Sequence, residues 1–246
     1  MGVISPVGND VNTFWSNLCN GVCGIDHIKS FPTDNLPVGI AGIIKDFKPE
    51  EYGMDKPFIR KQDLFTQYGV AAAYQAMKQS GLSSQGENKN IDPFRLGVYF
   101  GSGIGGFATQ YREISKMIED PSGQWISPLF IPTMISNIAA GHIAILNNAQ
   151  GPCLDIVTAC ATSTNAMGEA FRAIRNGYAD AIITGGCENA TIPIGIVGFA
   201  NAKALSRATD PNYASLPFNG NRAGFVMADG SAALVLEEYE HAKARG

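Results

Sequence analysis

The sequence predicts an α/β fold with crossover connections. Short, continuously apolar runs at Val98–Phe100, Ile156–Val157, Ala181–Ile183 and Leu234–Leu236 alternate with helical patterns. Runs apolar at every position suit strands covered by helices on both faces. The chain also carries 28 glycines in 246 residues, above the roughly 7% of average composition, as tight strand–helix turns require.

The elements follow in order. Asn9 or Asp10 caps a helix through about Leu18, followed by Gly-rich coil. Extended and turn signals run from about Asn35 to Tyr52, through Val38–Ala41 and Lys48–Glu51. A helix covers about Gln62 to Gln79, with Leu64, Tyr68, Ala71, Ala72 and Met77 as its apolar stripe and Ser80-Gly81 as its end. Ser83–Asn90 is polar and reads as a surface loop. A strand at Leu96–Phe100 meets Gly101–Gly106 and then a helix over Phe107–Ile118. A second apolar helix is expected at about Pro132–Asn147. A buried strand over Cys153–Ala159 leads into a helix over about Ala161–Arg175. A strand at Ala179–Thr184 ends in Gly185-Gly186, and Ala232–Glu237 is a last strand with a polar helix behind it.

Composition narrows the function. Hydrophobic residues make up 45% and charged residues 16%, ample for a core. Lys and Arg number 18 against 22 Asp and Glu, a net charge of −4, which argues against nucleic-acid binding. No run of about 18 apolar residues exists to span a membrane, and the first residues lack the pattern of a secretory signal. Cys19, Cys23, Cys153, Cys160 and Cys187 are odd in number and irregularly spaced, which suits reduced cytosolic thiols.

Two segments carry candidate chemistry. Gly101, Gly103 and Gly106 match a dinucleotide-binding spacing between a strand and a helix. The second strand and acidic residue of such a unit are missing, so a turn that lets backbones approach closely is the better reading. Cys160 stands at a strand-to-helix corner ahead of the small residues Ala161, Ala166 and Gly168. A helix N-terminus stabilises a thiolate, and the corner's own N–H can hold an oxyanion. On position alone, Cys160 is either a nucleophile or a buried structural cysteine. Cys153 and Cys187, at strand ends, read as structural.

A nucleophilic cysteine needs a base. His142 lies within an apolar helix and reads as a core histidine; His241 lies in a charged helix and reads as solvated. Cys19, Cys23 and His27 lack the usual zinc spacing, and no metal is expected.

At these residues the chain resembles the β-ketoacyl-acyl-carrier-protein synthases, most of all the type II elongating synthases of fatty-acid synthesis. The matches are Gly2–Gly8, Ala41-Gly42, Phe47-Lys48-Pro49, Gly101–Gly106, Thr158–Ser163, Ala204-Leu205-Ser206, Gly224–Met227 and Leu236–Gly246. The resemblance implies a thiolase-like αβαβα fold of two duplicated halves, of which residues 1–246 are the N-terminal ketoacyl-synthase domain. The family's first strand normally precedes Gly2–Pro6, and only Met1 stands there. The two catalytic histidines, a structural Lys and a second oxyanion N–H belong to the C-terminal half. Their absence makes the chain read as truncated and unable to complete condensation.

Carried over, Cys160 takes an acyl group from acyl carrier protein. The paired reaction is decarboxylative condensation with malonyl-carrier protein. Ile104 resembles an acyl-tunnel residue, Phe199 the gate beside the nucleophile, and Phe130 a position reaching a partner subunit's tunnel. Arg60, Lys61 and Lys203 match carrier-protein docking positions. No cofactor is implied; a cytoplasmic homodimer is. A non-catalytic chain-length-factor-type subunit or a polyketide ketosynthase domain is the alternative. The departures are Asn165 in place of a common His, Ala223 in place of an acidic residue, Cys153 and Asp155 before the nucleophile, and Gln124-Trp125 where some relatives are basic. Asp155 on a buried strand would need a partner.

Overall fold

The computed structural model describes residues 1–86 and 89–246. Residues 87 and 88 of the loop expected at Ser83–Asn90 lie outside them. The strands are β1 (Gly2–Ile4), β2 (Ile25–His27), β3 (Ile40–Gly42), β4 (Leu96–Gly101), β5 (Cys153–Leu154), β6 (Ala181–Glu188) and β7 (Gly230–Glu237). The helices are α1 (Val11–Cys19), α2 (Lys56–Lys61), α3 (Leu64–Ser80), α4 (Phe107–Glu119), α5 (Phe130–Met134), α6 (Ile138–Leu146), α7 (Thr162–Arg175), α8 (Pro193–Asn201) and α9 (Tyr239–Ala244).

Among the described residues, five strands form one mixed sheet in the order β1-β7-β6-β4-β5. β5, β4 and β6 run parallel, β7 pairs antiparallel with β6, and β1 pairs antiparallel with β7. The period-2 alternation of a strand explains the layers. Leu96, Val98 and Phe100 of β4 and Ala181 and Ile183 of β6 bury with residues of α3 and α6. Tyr99 and Ile182, on the opposite face, bury with Ala170 and Ala173 of α7. The sheet is thus sandwiched between helices, as its apolar strands predict.

α3 begins at Asp63, whose carboxylate accepts the Phe65 N–H, and ends at Gly81 with φ +67°, a left-handed cap that glycine adopts freely. It is buried almost all round, but Leu64, expected in its apolar stripe, is exposed. α1 is capped by Asp10 as expected.

Several expectations change. Gly2–Ile4 is itself a strand, paired antiparallel with Ala233–Ser231 of β7. The helix expected over Pro132–Asn147 is two helices, α5 and α6, broken at Ile135–Asn137. Ile135 is extended there, and the Met134 carbonyl accepts the Gly106 N–H at 2.9 Å, so the Gly-rich loop occupies the break. The strand expected over Cys153–Ala159 is paired only at Cys153–Leu154, at the sheet's edge; Leu154 and Val157 are exposed rather than buried. β6 continues through Gly185 and Gly186 to Glu188, so Cys187 lies inside a strand, buried. A Cβ on Gly185 would lie 2.0 Å from the Ala232 carbonyl, which is why the strand carries glycine there. No expectation covered β2, α2 or α8.

Candidate active site

The chain leaves β5 through Asp155–Thr158, makes a 3₁₀ turn at Ala159–Ala161 and enters α7. Ala159 holds φ +51°, a left-handed conformation costly for a residue with a Cβ. Cys160 follows it and is exposed. α7 begins two residues later at Thr162, whose N–H donates to the Ala159 carbonyl.

Three segments meet behind this elbow. A Cβ on Gly101 would lie 2.1 Å from the Ile156 carbonyl oxygen and 2.4 Å from the Thr162 methyl. One on Gly186 would lie 2.8 Å from Ser163 Cβ. One on Gly103 would lie 2.8 Å from Glu188 Oε2 and 3.6 Å from the Ala159 carbonyl oxygen. The glycines therefore serve close backbone approach. Ile104, next to Gly103, is partly exposed.

The donors of the Gly-rich loop are taken by the chain's own carboxylate. Ser102 Oγ donates to Glu188 Oε1 at 3.0 Å and the Gly103 N–H to Oε2 at 2.9 Å. Ser102 Oγ in turn accepts the Gly105 N–H at 2.9 Å. Burial pushes the Glu188 carboxyl up, in spite of these hydrogen bonds. The dinucleotide spacing is a loop wrapped on a glutamate. Glu188 ends an apolar strand, and that lone charge was the signal that could have marked it.

Asp155 finds its partner in Ser136, whose Oγ donates at 2.6 Å from the break between α5 and α6. Burial still pushes its carboxyl up. Thr158, Thr162 and Asn165 interlock around the elbow.

The other expected site residues fall into two groups. Arg60 and Lys61 are exposed in the last turn of α2, a short helix capped by Asp55. The Lys61 carbonyl accepts Thr133 Oγ1 at 2.9 Å, tying α2 to α5, on which half-buried Phe130 sits. Glu113 of α4, with a side chain 1% exposed, accepts the Ser127 N–H at 3.0 Å and so holds the approach to Phe130. Phe199, on α8, packs edge-on against Phe225 with ring centres 5.4 Å apart. Exposed Lys203 follows that helix with φ +57°. Leu205 bridges Phe225, and an open cavity of about 380 Å³ lies beside it, lined by Ser215, Leu216, Arg222 and Gly224.

No hydrogen bond joins a histidine to Cys160 among the described residues. The His142 ring stands edge-on to Phe58 at 4.9 Å, and its partial burial lowers its pKa. His241 is not solvated as expected: its Nδ1 lies 2.7 Å from Glu237 Oε1, a carboxylate that Arg245 also grips through two 2.7 Å hydrogen bonds. Among the described residues no group of three or more His, Cys, Asp or Glu side chains is placed to hold a metal, and no helix is long and apolar enough to cross a membrane.

Known proteins are similar to this chain along its whole length. 3-Oxoacyl-[acyl-carrier-protein] synthase 2 of Vibrio cholerae is 46% identical over the whole chain, and that of Staphylococcus aureus 44%. The chain spans 58% and 60% of their lengths. Among solved structures, the type II polyketide ketosynthase AntDE, bound to its acyl-carrier protein AntF, superposes over the whole chain with a TM-score of 0.86 at 29% identity, and the chain covers 58% of it. A β-ketoacyl synthase from Burkholderia phymatum gives 0.85 at 26% identity, with 60% of its chain covered. The α/β architecture is thus the thiolase-like one of the ketosynthases. The family described as "Beta-ketoacyl synthase, N-terminal domain" matches residues 1–242, elbow and Gly-rich loop included, and the chain belongs to it.

Proposed function

We propose that this chain is the nucleophile-bearing half of a fatty-acid condensing enzyme, with Cys160 as the acyl acceptor. The observation that carries the reading is an exposed cysteine after a strained residue, at the mouth of a helix, in a chain similar end to end to 3-oxoacyl-[acyl-carrier-protein] synthases. The Cys160 sulfur attacks the thioester carbonyl of acyl carrier protein. The new C–S bond forms as the carrier's C–S bond breaks, and the carrier thiol leaves with a proton. The Cys160 N–H faces the developing oxyanion and supplies one of its donors.

Ile104 lines the acyl path beside the elbow, Phe199 gates it, and Phe130 reaches the tunnel of a second subunit in a cytoplasmic homodimer. Arg60, Lys61 and Lys203 receive the acidic carrier protein. The decarboxylation of malonyl-carrier protein calls for histidines that His27, His142 and His241 do not provide, so this chain alone loads but does not condense.

The test is transfer of a labelled acyl group from acyl carrier protein. Label is expected on the chain and lost in Cys160→Ala, with no β-ketoacyl product when malonyl-carrier protein is added. Equal labelling of the alanine variant overturns the acceptor, and condensation by this chain overturns the division of labour. The second reading, a polyketide ketosynthase half, draws on the likeness to AntDE; it predicts preferential loading from polyketide thioesters over saturated ones.

A further inference from the structure

We propose that Asn165 is a positioning residue for the nucleophile. From the first turn of α7 it reaches back to lock Thr158, and so holds the left-handed Ala159 that presents Cys160. The inference rests on Cys160 being the acyl acceptor.

Every polar group of Thr158 is engaged. Its N–H donates to Thr162 Oγ1 at 2.9 Å. Its hydroxyl oxygen accepts from Asn165 Nδ2 at 2.7 Å. Its carbonyl accepts the Ala161 N–H at 3.1 Å. These bonds straddle Ala159 and define the backbone on both sides of it. A non-glycine residue persists in a left-handed conformation only when its surroundings over-determine it.

The two α7 residues have different standing. Thr162 is buried, with its methyl against Gly101, so it belongs to the junction with β4. Asn165 is exposed. Its helix propensity is below that of alanine, and its visible contribution is the bond to Thr158. An Asn165 without a role at the elbow would make Asn165→Ala harmless to chemistry and, if anything, stabilising. A clamp makes the same substitution costly to chemistry alone.

The experiment compares wild type, Asn165→Ala, Thr158→Val and the double variant. The acyl donor is a hexanoyl thioester of N-acetylcysteamine, which yields acyl-Cys160 and free N-acetylcysteamine. Iodoacetamide alkylation of Cys160 reports accessibility. Acyl transfer is expected to fall about tenfold or more in each single variant, since small misplacements of reacting groups cost up to about 100-fold. Alkylation should stay within about twofold of wild type. The double variant should be no slower than either single one, because both remove one bond. Amide exchange at Thr158 should quicken in Asn165→Ala. Unchanged acyl transfer, an equal fall in both reactions, or single effects that multiply in the double variant would overturn the proposal. If the wild type takes no acyl group, the functional reading fails and exchange at Thr158 decides the clamp: faster exchange supports it and unchanged exchange ends it.

Discussion

Glu113 shows how one residue can bear on both stability and the site. Its carboxylate is enclosed, accepting from Arg112 Nε at 3.0 Å, Lys116 Nζ at 2.9 Å and the Ser127 N–H at 3.0 Å. Burial pushes the carboxyl up, but the bonds from Ser127, Lys116 and Arg112 outweigh it and bring it down to about 2. A folded pKa below the unfolded one contributes stability above the unfolded value of roughly 4.3, and that stability is lost as pH falls toward about 2. Wild type should therefore lose urea resistance between about pH 5 and 3, and Glu113→Gln should lose less over that interval. Parallel losses would show that Glu113 does not set the acid limb. Glu113→Ala leaves the Ser127 N–H and the part-exposed Lys116 ammonium without their acceptor, a loss expected to cost about 1–3 kcal/mol in urea unfolding at pH 7. Glu188 acts in the opposite sense: burial raises its carboxyl, so its contribution falls as pH rises through its folded pKa. Glu113 did not stand out in the sequence, because a lone Glu in a helix is indistinguishable from surface charge. Cys160 did stand out, since an apolar run, a cysteine and small helical residues in succession describe a corner without reference to distant contacts.

Elements that depend on local pattern alone were legible. β4, β6 and α3 have apolar runs or periodic stripes and were placed within two or three residues, apart from the extra length of β6. Those shaped by distant contacts were not. The break between α5 and α6 follows from the Gly105–Gly106 turn lying on Met134–Ser136, and the short β5 from its place at the sheet's edge. α2 had its signals, an Asp55 cap and Pro57 in the first turn, but six residues leave no periodicity to see. The junction of β4 with the elbow is the contact most sensitive to volume. Gly101→Ala drives a methyl into the Ile156 carbonyl and the Thr162 side chain. It should lower thermal stability by about 1–3 kcal/mol and slow acyl loading of Cys160. An unchanged Tm with unchanged loading would mean the contact is looser than the distances state.

At the scale of the molecule, one feature resisted the sequence altogether: which apolar residues stay outside. Ile118 is 76% exposed, Ile145 73% and Trp125 67%. Tyr111, Ile114 and Met117 of α4, and Phe171 of α7, are also exposed. Hydrophobic content alone does not say which side chains close a core. Exposed apolar patches of this kind drive association. The chain should elute above its monomer mass, and Ile118→Lys with Ile145→Lys should shift it toward monomer in light scattering; a monomeric wild type would contradict this.

Under the proposed function Cys160, and not another thiol, takes the acyl group. Cys19, Cys23 and Cys153 are also exposed and serve as internal controls. Peptide mapping by mass spectrometry after incubation with acyl carrier protein thioester should find the acyl mass on the Cys160 peptide, with the other cysteines unmodified. Acylation spread evenly over the exposed cysteines, or absent from Cys160, would contradict the account.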